Sequence, residues 1–580
     1  MKKKIFLIFC ITFFLFFLFQ FTKWRPSWLA LADDSVCETR EGGRLVWPVT
    51  TGPKSFNPIV AKETSTTAIT GLIFEGLTRT NGITQKVEPN LAKSWKISAD
   101  GKIWTFYLRE DVSWFDGEPF TADDVVFTFN QLIFNPEVET SSRDIFTVEG
   151  KTIEVERIDR LTVRFNLPTK FAPFLQAMSQ NILPKHILAE VVKKGEFNYF
   201  WGINTKPDEL VGTGLFKLKS YLPGERIVLE KNKKYWRKDK AGCRLPYLEE
   251  IIYVIVQNQD VALLKFLEGE IDYITVRGQD YPIVKPKELE GNFNIYNVGP
   301  VLSSNFLVFN QNQTINPKTG QTYISPKKLN WFKNEKFRKA VSYAIDRQAI
   351  IDIVFNGLGY RQYSPVSKSA GFFHNPNVKK YNHNPEKALK LLEEIGIQRE
   401  NRKGVLKDKN GDKIKFNLFT SARNNQRRDI ANIIRKDLED IGMEVSFVPL
   451  AFNQIVAKLD STYSWDLILI GLTGGIEPHF GKNVWSSSGH LHMWYPKQIE
   501  PETDWEVEID KIFNQAVQIL DRSQRKIFYD RWQEIVADKV PLIYTVQSAN
   551  IFAIRDKFGN LKPTAYGGAF HNIEKIYIKK

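Results

Sequence analysis

The stretch LAKSWKISADGKIWTFYLREDVSWFDGEPFTADDVVFTF, residues 91–129, carries the local signals from which the fold can be predicted. Residues 104–108 within it and residues 153–163 after it are rich in β-branched and aromatic residues, which predicts hairpin-like strands. Asp-Gly at residues 116–117 predicts a turn, and the early acids of residues 122–124 suit the amino-terminal dipole of a helix. Taken by themselves, these patterns specify a fold and no chemistry.

Later segments carry helix and strand patterns in alternation, and together they predict an α/β fold. Asn-Pro-Glu at residues 384–386 supplies a cap, a proline for the first helical position and an early acid, so a helix is predicted from there to Gly396. Apolar residues at helical spacing predict core-facing helices over residues 337–345 and 430–441. The alternating residues 443–447 predict a strand directly after the second helix.

A short apolar run, LILI at residues 467–470, is predicted to be a buried strand. It leads into Gly471 and then Gly474 and Gly475, as a strand of an α/β sheet leads into a loop. Such strand ends are where α/β proteins usually bind ligands. The loop after this strand is therefore a candidate ligand site.

Length and composition indicate a soluble protein with several compact units. A chain of 580 residues exceeds one hydrophobic core, and domain sizes predict about two to four units. With 43% hydrophobic and 25% charged residues, the chain matches an average globular protein. The formal net charge is +14, but basic and acidic residues are interleaved and no run of five basic residues occurs, so no nucleic-acid partner is expected.

The amino terminus has the three parts of an export signal. Residues 2–4 are lysines, residues 5–21 are almost wholly apolar, and residues 30–32 have the small-x-small pattern that signal peptidase reads. Residues 1–32 are therefore predicted to be a signal peptide, which places the chain in the periplasm or at the outer face of the cytoplasmic membrane. Because the apolar run is close to the shortest length that spans a bilayer, an uncleaved anchor is the alternative.

The stretch at residues 91–129 closely resembles the signature of the family 5 periplasmic solute-binding proteins of ABC transporters, which includes oligopeptide-, dipeptide- and nickel-binding proteins. The resemblance covers nearly the whole chain after residue 32, because further blocks follow in the expected order. These blocks are GTGLF at 212–216, NKKYW at 232–236, LPYL at 245–248, GEID at 269–272 and FRKAVSYAIDRQAII at 337–351. The resemblance implies the α/β, two-lobed periplasmic binding protein fold (class II, large type) with an additional β-rich domain.

The same resemblance implies how the chain divides into units. The expected units are a discontinuous lobe I at residues 33–76, 205–300 and 545–580, a β-rich domain at 77–204, and lobe II at 301–544. Cys37 and Cys243 would then lie in one lobe. Since they are the only cysteines left after processing into an oxidising compartment, we predict that they form a disulfide.

As to function, the resemblance implies the substrate-binding component of an ABC importer, which binds a solute between its lobes and delivers it to the permease subunits. Peptides are the favoured solute; a sugar or metal complex, or a binding module for sensing or chaperoning, are the alternatives. We expect a monomer that uses no cofactor and is not an enzyme. The hydrolase alternative finds no support, because the sequence has no G-x-S-x-G, H-E-x-x-H, P-loop or strand-associated G-x-G-x-x-G motif.

Residues 490–492 (His-Leu-His) hold the only close histidine pair, and in a strand both rings would lie on one face. No cysteine or carboxylate stands near them in sequence, so an ordinary polar loop or a ligand contact is favoured and no metal site is assigned.

On lobe II, the candidate ligand residues follow the LILI strand. Peptide binders that resemble this chain often carry Trp-x-x-Asp-Tyr there, with the aspartate paired to the ligand's amino terminus. Here the loop carries Thr473, Gly474, Gly475 and Glu477, and Gly475 falls at or near the aspartate position. Either Glu477 takes over the cation, or the ligand lacks a free amino group. The glycines are expected to admit a ligand close to backbone amides, and Trp485 is expected to line the pocket.

On lobe I, the family offers backbone groups from the segment that precedes the block FEGL, here at residues 74–77. Glu63, Thr64, Ser65 and Thr66 match that segment and are expected to give strand-like hydrogen bonds to an extended ligand. The ligand site is therefore predicted between the lobes, with these four residues on one side and the glycine loop on the other.

Overall fold

The structure is a computed structural model. It describes residue 37 and residues 40–61, 64–140, 142–148, 150–399, 401, 404–489 and 491–579. The predicted signal peptide, residues 1–32, lies outside the described residues. Within the described ranges, no helix is long and apolar enough to cross a membrane.

Two four-stranded sheets each join segments that are far apart in the sequence. In the first, Arg44–Val49 runs parallel to Glu250–Ile255, which continues antiparallel to Arg226–Lys231 and then Phe216–Leu222. In the second, the central strand pairs with three others. The central strand is Val546–Arg555, and its three partners are Tyr273–Thr275, Phe293–Pro300 and Gly359–Arg361.

A third sheet is antiparallel and confirms the predicted hairpin strands. Its order is Ala92–Ile97, Ile103–Leu108, Thr162–Asn166 and Glu154–Asp159. The inward residues of this sheet and of the first sheet belong to one continuous core, which contains Phe106 as well as Leu45 and Ile251. The β-rich part of the chain therefore does not have a core of its own.

A five-stranded sheet forms the centre of the other half of the molecule. Its order is Glu444–Leu450, Lys415–Ser421, Leu467–Leu472, Ser304–Phe309 and Leu542–Tyr544, the first three being parallel to one another. Helices cover both faces: Glu335–Ala344 and Asn425–Asp440 lie on one, and Asp504–Ala516 and Arg522–Lys539 on the other. Because both faces are buried, every residue of the LILI run is apolar.

The predicted helices are confirmed. Pro385–Glu393 is helical, and the Asn384 side chain accepts a hydrogen bond from the amide of Lys387 at 2.9 Å. Asn425–Asp440 is followed by Gly442 at φ +95° and the strand Glu444–Leu450. The other α-helices are Thr64–Ile73, Ala122–Phe127, Ser142–Ile145, Phe174–Ala177, Lys185–Lys193, Gln259–Leu267, Tyr281–Val284, Pro326–Lys333, Arg347–Phe355, Phe452–Ala457 and Lys482–Trp485.

The chain passes between the two halves at two adjacent places. One is the connection from Phe293–Pro300 to Ser304–Phe309, and the other joins Leu542–Tyr544 to Val546–Arg555. The Gln547 amide donates hydrogen bonds to the carbonyl oxygens of Val301 and Ser303, at 2.8 and 2.7 Å, and so ties the two connections together. Two short, paired crossings are suited to hinge closure.

Candidate functional site

The predicted lobe II residues lie together around one cavity at the carboxyl edge of the parallel strands. Thr473, Gly474, Gly475, Glu477 and Trp485 all line this space of ≈ 380 Å³, which we call the lobe II cavity. The loop reaches it because the strand Leu467–Leu472 ends beside the hinge. The arrangement follows the rule that open α/β sheets bind ligands beyond their strand ends.

The two glycines of this loop differ in their surroundings. A Cβ atom at Gly474 would lie 2.0 Å from the carbonyl oxygen of Leu302, so only glycine allows the loop to pack against the crossing segment. A Cβ atom at Gly475 would have nothing within 4 Å. Gly474 therefore fixes the loop to the hinge, and Gly475 faces open space.

Glu477 forms a buried ion pair with a protein cation. Its Oε2 accepts a hydrogen bond from Nη2 of Arg525 at 2.8 Å, and the two side chains are 4% and 6% exposed. Its other oxygen, Oε1, caps the turn that follows at the amide of His479. Burial raises the pKa of Glu477, and the guanidinium of Arg525 opposes that rise.

Aromatic side chains form the walls of the lobe II cavity. Trp485 packs against Trp532 with ring centroids 5.1 Å apart in a T-shaped pair, and Tyr544 lines the same space. Trp465 and Trp494, which flank the loop in sequence, are instead buried in the core. Trp532 and Tyr544 were missed in the sequence because they lie more than fifty residues from the loop and are set by tertiary packing.

The predicted lobe I segment lines a different cavity, of ≈ 610 Å³, through Thr64 and Ser65. Thr66 is buried, and its hydroxyl accepts a hydrogen bond from the amide of Lys54 at 3.2 Å. Glu63 lies outside the described residues. Tyrosine and tryptophan side chains again form the walls, at Trp47, Tyr253 and Tyr273.

The expectation of strand-like hydrogen bonds from this segment is wrong, because Thr64–Ile73 is an α-helix. Its buried residues Thr66, Ile69, Thr70 and Ile73 recur at helical spacing, and burying that face favours the helix over the strand. The first turn of a helix leaves backbone N–H groups without an intrahelical partner. Thr64 and Ser65 therefore offer helix-end donors where strand pairing was expected.

A third cavity, of ≈ 330 Å³, is lined by residues from both halves of the molecule. Ile59 and Ala61 line it just before the lobe I segment, and Phe480 lines both this cavity and the lobe II cavity. Phe480 therefore joins the third cavity to the lobe II cavity, whereas the cavity at Thr64 and Ser65 shares no lining residue with either, and the two predicted sides of the site do not share one cavity. That a ligand occupies any of these cavities stays a prediction.

Two further predictions concern side chains away from the cavities. The sulfur atoms of Cys37 and Cys243 are bonded, with Cα atoms 5.4 Å apart. His490 lies outside the described residues, whereas His492 is buried with its ring 3.9 Å from that of Trp494 and its Nε2 3.9 Å from Oε1 of Glu506. In the described part of the chain, no group of three or more His, Cys, Asp or Glu side chains could hold a metal ion.

Comparison with known proteins agrees with this geometry. A "Probable ABC transporter-binding protein" of Deinococcus radiodurans is 31% identical over 87% of this chain and 86% of its own length. The oligopeptide-binding protein AppA of Bacillus subtilis is 28% identical over 95% of this chain and 94% of its own. The periplasmic alpha-galactoside-binding protein of Rhizobium meliloti is 26% identical over 88% of this chain and 76% of its own.

The solved structure of AppA in complex with a nonapeptide superposes with a TM-score of 0.73 at 26% identity, covering 93% of this chain and all of AppA. The fold is therefore the mixed α/β, two-lobed fold of periplasmic binding proteins. Residues 86–490 match the family described as bacterial extracellular solute-binding proteins, family 5 Middle. The chain therefore belongs to family 5 of the bacterial extracellular solute-binding proteins, the substrate-binding proteins of ABC transporters.

Proposed function

We propose that the protein binds a solute between its halves and hands it to the permease subunits of an ABC importer, without catalysing a reaction. The lobe II cavity carries this proposal, because its glycine loop packs directly on the hinge at Leu302. A solute that contacts both halves favours the closed form only through its better fit to that form. The closed form would then dock on the permease.

For the solute itself, we propose a peptide as the first candidate. AppA, which matches nearly the whole chain, was solved with a nonapeptide. In this chain the helix end at Thr64 and Ser65 and the loop at residues 473–475 each line a cavity and would provide backbone groups at the two ends of the site. An extended ligand of several residues would be able to contact both ends.

A non-peptide solute is the second candidate, and the Glu477–Arg525 ion pair favours it. A carboxylate that is already paired with a buried guanidinium is not free to bind a ligand's ammonium group. The alpha-galactoside-binding relative supports the same candidate, since its name gives an uncharged solute.

The proposal includes a cellular setting. Residues 1–32 would direct export, either cleaved or retained as an anchor, and the mature protein would act as a monomer without a nucleic-acid partner or cofactor. Its basic and acidic side chains are interleaved along the sequence, which supports a solvated surface.

The test is mass spectrometry of small molecules released by denaturing the purified mature protein. We expect one class of solute to co-purify with it, and oligopeptides if the first candidate holds. A matched sample in which Gly475 is replaced by Leu should release less, since a bulky side chain would fill the cavity. Equal release from both samples would contradict the placement of the site.

A further inference from the structure

The charged side chains at the lobe II cavity affect which solute the cavity can accept. Among its lining residues in the described part of the chain, Glu477 is the only acid, and no lysine, arginine or histidine is present. Both carboxylate oxygens of Glu477 are occupied by the protein, one by Arg525 and the other by the amide of His479. The cavity therefore presents no free negative charge.

A second guanidinium lies near the same carboxylate. Burial lowers the pKa of Arg522, and the neighbouring Glu477 opposes that effect. The Arg522 guanidinium also lies over the rings of Phe372 and Phe373, at 4.5 and 5.2 Å from their centroids. Two guanidinium groups therefore act on this one carboxylate, so Glu477 adds no net negative charge to the region.

The indole N–H of Trp532 gives a second observation, which does not depend on the charges. Trp532 lines the cavity and is 2% exposed, and its indole N–H has no hydrogen-bond partner among the described residues. An indole nitrogen can only donate, so it needs an acceptor. A carbonyl or hydroxyl oxygen would satisfy this donor where the ring borders the cavity, whereas an ammonium group has donors only and could not.

We infer that Arg525 neutralises Glu477 so that the lobe II cavity accepts an uncharged, oxygen-bearing group and excludes an ammonium group. The inference rests on the proposed function, because it takes the lobe II cavity as part of the solute site. An amino-blocked peptide and a neutral oligosaccharide both present this chemistry, and the experiment separates them. Arg525 acts through Glu477 and is therefore a positioning residue.

The physical reason is the cost of burying an unpaired cation. An ammonium group that enters the cavity leaves water without gaining a carboxylate partner, since Glu477 is already engaged. The nearby guanidinium groups add repulsion. A neutral amide or hydroxyl group avoids both costs and stacks its apolar face on Trp485 or Trp532.

The test uses a synthetic peptide library of three to nine residues without lysine or arginine, prepared once with free amino termini and once N-acetylated. Each pool is incubated with protein stripped of ligand by unfolding and refolding, and the retained peptides are counted by mass spectrometry after gel filtration. Wild-type protein should retain the acetylated pool at least tenfold better than the free pool. The neutral trisaccharide raffinose is tested in parallel.

Variants assign the effect to the ion pair. Arg525→Met leaves Glu477 without its protein partner, so the preference should fall at least tenfold or reverse. Glu477→Gln leaves Arg525 unneutralised and should keep or increase the preference, which provides a second readout if Arg525→Met does not fold. Arg531→Met is the matched control: it lies on the same helix, pairs with Glu508 and is 54% exposed, and it should leave the ratio unchanged.

The outcomes separate this inference from the proposed function. Wild-type protein that retains the free pool as well as the acetylated pool overturns the inference and leaves peptide binding intact. Retention of raffinose with neither peptide pool supports the inference and removes the peptide candidate. Retention of none of the three probes overturns both.

Discussion

At the scale of single residues, Glu506 has more hydrogen-bond partners than any other carboxylate among the described residues 301–544. Trp494 donates to its Oε1 at 3.1 Å, and the amides of Glu502 and Thr503 and the Thr503 hydroxyl donate to its Oε2. Burial acts to raise the pKa of Glu506, but the neighbouring His492 ring and the hydrogen bonds from Trp494 and Thr503 outweigh it and lower the pKa to about 2.

This network predicts a defined pH dependence of stability. The folded pKa of Glu506 lies below the ordinary value of 4.5, so its contribution is present above pH 4.5 and is lost as the pH falls toward 2. Glu506→Gln should therefore lower the free energy of unfolding at pH 7 by on the order of 3 kcal/mol and flatten its decline between pH 4.5 and 2. Urea unfolding at pH 7 and pH 3 measures both effects. Glu508→Gln, on the same helix but exposed, should change the stability much less.

The same scale shows what the sequence could and could not predict about the site. The loop at residues 473–477 and Trp485 could be selected, because a buried strand followed by glycines is a local pattern. The partner of Glu477 could not be predicted, because Arg525 lies 48 residues away in the sequence, on the helix Arg522–Lys539. Only tertiary packing decides whether a carboxylate meets a protein cation or a ligand.

At the scale of elements, the glycine loop gives a matched pair of substitutions. Gly474→Ala would place its Cβ atom 2.0 Å from the Leu302 oxygen, so the loop or the crossing segment must move. We expect a loss of about 1–3 kcal/mol in the free energy of unfolding and weaker solute binding. Gly475→Ala meets nothing within 4 Å and should stay within about 0.5 kcal/mol of the wild type. Denaturant titrations that show equal losses for both variants would contradict this description of the loop.

Element types were predictable wherever one periodic pattern dominated. The helix Asn425–Asp440 and the strand after it followed from spacing and a glycine stop. The segment before FEGL was expected to give strand-like hydrogen bonds to an extended ligand, but its threonines and isoleucines form the helix Thr64–Ile73. β-branched residues favour strands only weakly, and burial of one helical face against the lobe I core decided the outcome.

At the scale of the whole molecule, the disulfide constrains a very long loop. Cys37 and Cys243 are separated by 206 residues, so the bond should reduce the conformational freedom of the unfolded chain strongly. Reduction should lower the free energy of unfolding by about 2–5 kcal/mol, seen as a lower urea midpoint in the presence of reductant. A Cys37→Ser, Cys243→Ser double variant should not respond to reductant. Thiol labelling of the unreduced mature protein should find no free cysteine, and two labelled thiols would contradict the pairing.

The division into lobes was implied by the family resemblance, but the contacts between the units could not be predicted from the sequence. The β-rich part shares its core with lobe I and also touches lobe II, where the amide of Ala172 donates to the oxygen of Val517 at 2.7 Å. Beside that contact, the ring of Phe171 lies 5.5 Å from the ring of His479. These contacts join segments hundreds of residues apart, and no local pattern in the sequence indicates them.

This second junction predicts that solute binding depends on pH. Burial, together with Lys482 and Arg525, lowers the pKa of His479 to about 3, and its Nδ1 has no partner among the described residues. If opening the halves exposes the ring, its pKa returns to about 6.5, so the closed form is favoured above pH 6.5 and loses that advantage as the pH falls. Affinity for the co-purified solute should then weaken by up to about 30-fold between pH 7.5 and 5. His479→Gln cannot be protonated, so titration calorimetry at the two pH values should show most of the dependence removed; a variant that keeps the full dependence would exclude His479 as its source.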